Sequence, residues 1–201
     1  MLARILDVLF PSRCVGCGLT GATFCDACRP RPEAARRVYG AHGLAIDAAG
    51  RYAGVLRSAI LLYKRGRRDA GDALSALLAD RVAASLPANC VLVPVPTTRH
   101  RRGERGFDQG VRLARALGMR TGAPVLLALA QVAGDAQRGR TRARRLAARG
   151  RFACIAPNVI AGARVVLVDD VMTTGATLED CAKALELSGA RVAAAVVLAY
   201  A

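Results

Sequence analysis

Residues 165–177 constrain the fold more than any other stretch. Val165, Val166, Leu167 and Val168 form an unbroken branched apolar run, the pattern of a strand buried on both faces, and the run meets two adjacent carboxylates, Asp169 and Asp170. A Thr/Gly-rich turn follows, and after it Leu178, Cys181, Ala182 and Leu185 recur at helical spacing, with Gly189 placed to stop the helix. Residues 192–198 then read as a second buried strand. Strand, loop, helix, strand is the parallel crossover of an α/β sheet.

The same stretch suggests a ligand. A turn over residues 173–177 at a helix N-terminus offers backbone N–H groups and hydroxyls to a phosphate, with the helix dipole adding positive potential, and Gly175 lets the backbone approach closely. Asp169 and Asp170, at the carboxyl end of the strand, are placed to accept hydrogen bonds from sugar hydroxyls and to help hold a divalent cation. Phosphate, vicinal diol and metal together describe a ribose phosphate. The turn is not a P-loop, because the Lys after Gly is missing.

Asp169, Asp170, Val171, Met172, Thr173, Thr174, Gly175, Ala176 and Thr177, after an apolar strand, resemble the 5-phosphoribosyl-1-pyrophosphate (PRPP) binding motif of type I phosphoribosyltransferases. Other motifs narrow the resemblance. Val93, Pro94, Val95 and Pro96, then Arg105, Gly106, Phe107, Asp108 and Gln109, with Tyr63 and Lys64 upstream and four cysteines near the N-terminus, resemble the ComF family of competence proteins. The family pattern has Asn where this chain has Asp108, which puts a direct ligand role for that position in doubt.

The four cysteines are Cys14, Cys17, Cys25 and Cys28, two C-x-x-C pairs separated by seven residues. Four thiolates so spaced can close a structural tetrahedral Zn²⁺ site, although the intervening loop is shorter than usual; two disulfides are the competing reading. Cys90, Cys154 and Cys181 sit in apolar settings and read as buried small hydrophobes.

The 201 residues suit one α/β domain with a small appendage, divided here as 1–33 (an amphipathic helix and the four-Cys module) and 34–201 (the phosphoribosyltransferase-like domain). Residues 1–10 carry Arg4 and Asp7 inside an apolar stretch, which argues against a signal sequence, and no apolar run is long enough for a membrane span. A cytoplasmic protein is expected. Residues 30–43 read as a linker and 44–51 as a short strand. Residues 55–63 and 72–86 read as helices, 91–96 as a strand, 111–118 as a helix ending at Gly118, and 124–130 as a strand, with 152–155 leading back into the sheet.

Thirty basic against fifteen acidic residues leave a formal charge of +15, which favours polyanionic partners. The excess is nearly all arginine, so base composition of the gene is an alternative source. Two basic windows stand out. Arg99, His100, Arg101, Arg102 and Arg105 follow the strand at 91–96, on the sheet edge where ligands bind, and Arg99, Arg102, Arg105 and Lys64 are the candidates for pyrophosphate. Residues 137–151 carry seven arginines, among them Arg142, Arg144 and Arg145, the candidates for nucleic-acid contact. With no Trp and few other aromatics, any DNA contact is expected to be mainly to phosphates.

The resemblance implies a type I phosphoribosyltransferase-like parallel sheet flanked by helices with a zinc-ribbon-like module. It implies PRPP bound with Mg²⁺, Asp169 and Asp170 on the ribose hydroxyls and residues 173–177 on the 5-phosphate. It also implies single-stranded DNA and proteins of a DNA-uptake machinery as partners in natural transformation. A metabolic phosphoribosyltransferase with an unidentified acceptor is the second reading. Purine-salvage enzymes of this kind often carry an acid at the place of Thr173, so the threonine argues against that substrate class.

Overall fold

The apolar run at 165–168 is the inner part of a nine-residue strand, Arg164–Met172, in a five-stranded sheet. The computed structural model describes residues 12–30, 36–39, 43–97, 108–132 and 151–201, with the backbone alone at 36–39. In chain order the elements are β1 (Arg36–Tyr39), β2 (Ala45–Ala48), α1 (Gly54–Lys64), α2 (Arg68–Val82) and β3 (Cys90–Pro94). They continue as α3 (Gln109–Thr121), β4 (Leu129–Gln131), β5 (Phe152–Cys154), the one-turn α4 (Pro157–Ile160), β6 (Arg164–Met172), α5 (Ala176–Glu186) and β7 (Arg191–Tyr200). The sheet order is β1-β2-β7-β6-β3, parallel except for the β1–β2 pair.

Alternation along β6 and β7 divides the core into two layers. Val166, Val168, Val196 and Leu198 face one way, into a core with Leu56, Ile60 and Tyr63 of α1, Leu74 and Leu78 of α2, and Leu113 and Leu117 of α3. Val165, Leu167, Ala195 and Val197 face the other, against Leu178, Cys181 and Leu185 of α5 and Leu129 and Phe152 of the β4–β5 pair. Each fully buried aliphatic side chain contributes about 2 kcal/mol of transfer free energy, so the expected α/β architecture, a parallel sheet flanked by helices, rests on apolar patterns already visible in the chain.

Four expectations are corrected. The linker at 30–43 contains β1, which pairs antiparallel with β2 as an edge strand. Within 124–130 the backbone bridges Leu92 only at Val125, and regular pairing starts at Leu129. Residues 152–154 do not rejoin the main sheet: β5 pairs antiparallel with β4 as a separate ladder lying over α5. Helix α3 continues past Gly118 to Thr121. Gly118 is there for space, since a Cβ would stand 2.8 Å from the Ala123 carbonyl oxygen and 3.0 Å from Val125. The stop is Gly122, whose φ of 75° is the left-handed conformation that ends a helix. The segment 1–11, read as an amphipathic helix, lies outside the described residues.

Candidate functional site

Both carboxylates are inside β6, not in the loop after it: Asp169 pairs in register with Val197, and the ladder continues through Val171 and Met172 opposite Ala199 and Tyr200. Pairing with β3 ends at Val168, so the acids lie just past it and are held on the strand by β7 alone. The connecting turn is therefore shorter than expected, Thr173, Thr174 and Gly175, and α5 begins at Ala176. Gly175, at φ 80°, is the residue before the first helical turn. Thr173 and Thr174 are exposed and Thr177 partly so, and the Thr174 hydroxyl accepts from the Ala176 N–H at 3.4 Å. A helix start leaves its first N–H groups without intrahelical partners, so the turn can present N–H and hydroxyl donors to an anion beside the acid pair.

The two acids differ in environment. Asp169 Oδ1 accepts from the Asp170 N–H at 2.8 Å, but burial, followed by the neighbouring Asp170 charge, pushes its carboxyl up to about 8. Asp170 is compensated: its Oδ2 lies 2.8 Å from Lys64 Nζ in a largely buried ion pair. Lys64, a pyrophosphate candidate in the sequence, thus stands at the acid pair. It is the last residue of α1, and Tyr63 before it is fully buried, with its hydroxyl donating to the Gln109 carbonyl at 3.4 Å. Gly71 leaves room for the Tyr63 ring, which a Cβ would meet at 2.5 Å, and the Arg112 guanidinium lies 5.8 Å from the ring centre.

Asp108 has a structural role that explains a carboxylate there. Its Oδ1 accepts from the Val111 N–H at 3.2 Å as the N-cap of α3, and its carboxylate also accepts from the Thr97 N–H at 3.3 Å and the Thr97 hydroxyl at 3.4 Å. It ties the exit of β3 to the start of α3 at the same sheet edge as Asp170. Val95 N–H donating to the Val168 carbonyl at 2.9 Å holds that exit against β6. Asp108→Ala is expected to lower stability by about 1 kcal/mol or somewhat more, and Asp108→Asn to retain most of it, because an amide oxygen still caps; equal losses in urea titration of the two variants would contradict the capping role. Arg99, His100, Arg102 and Arg105, and likewise Arg142, Arg144 and Arg145, lie outside the described residues.

The four cysteines converge as their spacing predicts. All four Sγ atoms lie within 4.8 Å of one another, with Cys14–Cys25 and Cys17–Cys25 separations of 3.6 Å. A tetrahedral zinc–thiolate site with ~2.3 Å bonds has sulfur–sulfur edges of about 3.8 Å, whereas a disulfide needs about 2.05 Å. The thiols are free, so the group fits a four-coordinate metal such as zinc and not a pair of disulfides. Backbone N–H groups of Cys25 and Cys17 directed at Cys14 bring its thiol down to about 6, while the neighbouring Cys25 thiol pushes Cys28 up to about 12. Gly16 is required for space: a Cβ there would meet Cys28 Sγ at 2.7 Å. Cys90 and Cys181 are buried, and burial raises both thiols, as expected of inert core residues.

The module is fastened to α2. Thr23 Oγ1 donates to Asp69 Oδ2 at 3.2 Å, Arg67 bridges Asp69 and the Arg13 carbonyl at 2.9 and 2.6 Å, Arg29 pairs with Asp80 at 3.1 Å, and Arg81 donates to the Pro30 carbonyl at 2.9 Å. Arg67 is three residues from Lys64, so one corner of the chain serves both the cysteine module and the acid pair. Neither this corner nor the Lys64–Asp170 pair was legible in the sequence, since no local pattern links residues so far apart.

The chain is similar to several known proteins. The model of the phosphoribosyl transferase domain matches residues 70–201, which includes β3, β6, the acid pair and α5. Competence protein ComFC of Bacillus subtilis is 34% identical over 95 residues, a match spanning 47% of this chain and 38% of that protein. Among solved structures, glutamine phosphoribosylpyrophosphate amidotransferase of B. subtilis aligns over 64% of this chain and 26% of its own, at 23% identity and a TM-score of 0.47. A structure described as the allosteric regulatory enzyme of purine biosynthesis aligns over the same shares at 22% identity and a TM-score of 0.48. With a parallel sheet, an acid-bearing strand and a Thr/Gly turn inside the matched region, the chain belongs to the phosphoribosyl transferase domain family.

Proposed function

We propose that this protein binds PRPP with Mg²⁺ at the carboxyl edge of β6 and acts in handling single-stranded DNA during natural transformation. The observation that carries the PRPP reading is the placement of Asp169 and Asp170 on β6, just past the end of its pairing with β3 and still paired with β7, beside the Thr173, Thr174, Gly175 turn and the start of α5. In this reading Asp169 and Asp170 hold the ribose hydroxyls. Thr173, Thr174, Gly175, Ala176 and Thr177 hold the 5-phosphate, and Lys64 with Arg99, Arg102 and Arg105 meets the pyrophosphate. Mg²⁺, when bound, supplies charge neutralisation of the pyrophosphate; zinc in the four-cysteine module is structural, with no coordination position left open.

The DNA part rests on the ComFC likeness and on the +15 charge. Arg142, Arg144 and Arg145 are the proposed phosphate contacts, and proteins of a DNA-uptake machinery the proposed partners. Among the described residues no helix is long and apolar enough to cross a membrane. Replacing the three arginines by Ala is expected to flatten the slope of log affinity against log salt for single-stranded DNA by about two units, at about 0.7 for each phosphate no longer neutralised. An unchanged slope removes that window from the interface.

Membership of the phosphoribosyl transferase family keeps a second reading in view, transfer of the phosphoribosyl group to an acceptor metabolite through an oxocarbenium-like centre at C1, with catalysis by positioning and electrostatics. Calorimetric titration of Mg²⁺–PRPP with and without single-stranded DNA separates the two. Coupled affinities support the DNA reading. PRPP binding that DNA leaves untouched favours the metabolic one.

A further inference from the structure

The ion pair between Lys64 and Asp170 deepens the PRPP reading, on which its ligand arm rests. The end of α1 fixes the Lys64 backbone independently of its side-chain ion pair. Lys64 closes the last turn of α1, where Arg65 N–H donates to the Leu61 and Leu62 carbonyls at 3.1 Å, and the preceding Tyr63 is locked between Gly71 and α3. The lysine stem is therefore presented at a fixed point beside β6. Its Nζ reaches Asp170 Oδ2 at 2.8 Å, with the side chains 24% and 15% exposed.

A largely buried ion pair recovers little more than the cost of desolvating its two charges, so stability alone is a poor reason for a lysine at this position. Its electrostatic consequence is larger. Asp169 and Asp170 are adjacent acids at the edge of a sheet where a divalent cation would otherwise be drawn, and the ammonium occupies one of them. A divalent cation arriving alone must displace or face a fixed positive charge within a few ångströms. A cation arriving with a pyrophosphate brings compensating negative charge, toward which the flexible lysine stem can swing without any movement of α1.

We propose that Lys64 is a resident counter-ion that excludes bare divalent cations from the Asp169–Asp170 pair and moves to the pyrophosphate when metal and PRPP arrive together. The residue thus selects the metal complex of the ligand over the free metal. One substitution then has opposite effects on two ligands, which general loosening of the site would not produce.

The test uses the zinc-loaded full chain and Mn²⁺ as a paramagnetic probe, titrated without PRPP and read by electron paramagnetic resonance. Lys64→Met is expected to bind Mn²⁺ at least tenfold more tightly than the unaltered protein and to bind Mg²⁺–PRPP at least tenfold more weakly by calorimetry. Lys64→Arg, which keeps the charge, is expected to retain the exclusion of Mn²⁺. Lys64→Gln repeats the test should the methionine variant melt early. Unchanged Mn²⁺ affinity in the neutral variants overturns the proposal, as does an equal rise in the arginine variant. Failure of the unaltered protein to bind PRPP overturns the functional reading instead, because the Mn²⁺ comparison needs no PRPP.

Discussion

Removing metal from the four-cysteine module is expected to lower the melting temperature by roughly 10 °C, the equivalent of a few kcal/mol for a chain of this size. The Sγ atoms lie within 4.8 Å of one another, so without a cation the group can neither carry four thiolate charges nor relax into disulfides without moving its sulfurs closer. Opening the module has consequences beyond it. Val15 and Phe24 pack against the core formed by α1, α2 and α3, and Thr23, Arg29 and the Arg13 carbonyl are tied to α2 and to Arg67 ahead of it. Losing the module exposes that apolar surface and frees Arg67 and Asp69. Thermal melts with and without a strong chelator, joined to hydrogen exchange over residues 12–30, provide the check. Superimposable melts from protein shown to have lost its zinc would contradict the structural role.

Asp169→Asn is expected to stabilise the ligand-free protein near neutral pH, and by more as the pH rises. Burial first, and the Asp170 charge second, raise the Asp169 carboxyl to about 8, with Asp108 adding in the same direction and the Asp170 N–H and Lys64 opposing. The folded state then holds a proton that the unfolded chain releases near pH 4, so it binds more protons than the unfolded state between about pH 4 and 8. Stability from this group is fully present at the acid end of that window and is lost as the pH climbs through about 8. The loss is on the order of a few kcal/mol. Asparagine has no charge to desolvate and removes that slope. Urea titrations of both proteins at pH 5 and pH 8 measure it: the gap between variant and unaltered protein should widen toward pH 8. A constant gap would place Asp169 in a well-solvated setting. A residue that costs stability at working pH is one the fold retains for another reason, as binding sites commonly do.

Much of the strand, turn and helix that frame the candidate site was readable because its signals are local. The apolar run of β6, the paired acids, the Thr/Gly turn and the helical spacing of Leu178, Cys181 and Leu185 lie within about twenty consecutive residues, and each restricts the others. The cysteine pairs were readable for the same reason, since two C-x-x-C turns leave few ways to place four sulfurs. The errors arose where a residue answers to distant structure. Gly118 has the composition of a helix stop but is spaced for Ala123 and Val125, while the chain stops at Gly122. Strand β1 lies in a stretch whose Pro and charge content reads as linker, and is a strand because β2 offers an edge. The run at 152–154 is too short for its pattern to say which partner it takes. Asp108 departs from the family pattern, yet a carboxylate before a helix is a local N-cap signal, and it serves as one.

Asp169 and Asp170 are the centre of the proposed ligand site. The direct measurement is calorimetric titration of Mg²⁺–PRPP into the zinc-loaded protein and into a variant with both residues replaced by Asn, at a pH where each is shown by its melt to be folded. Saturable binding to the unaltered protein is expected, and at least a hundredfold weaker binding to the variant, about 2.7 kcal/mol, which two missing charge-assisted hydrogen bonds can supply. Equal affinity in the two proteins, or no heat in either, would contradict a ligand site at these residues.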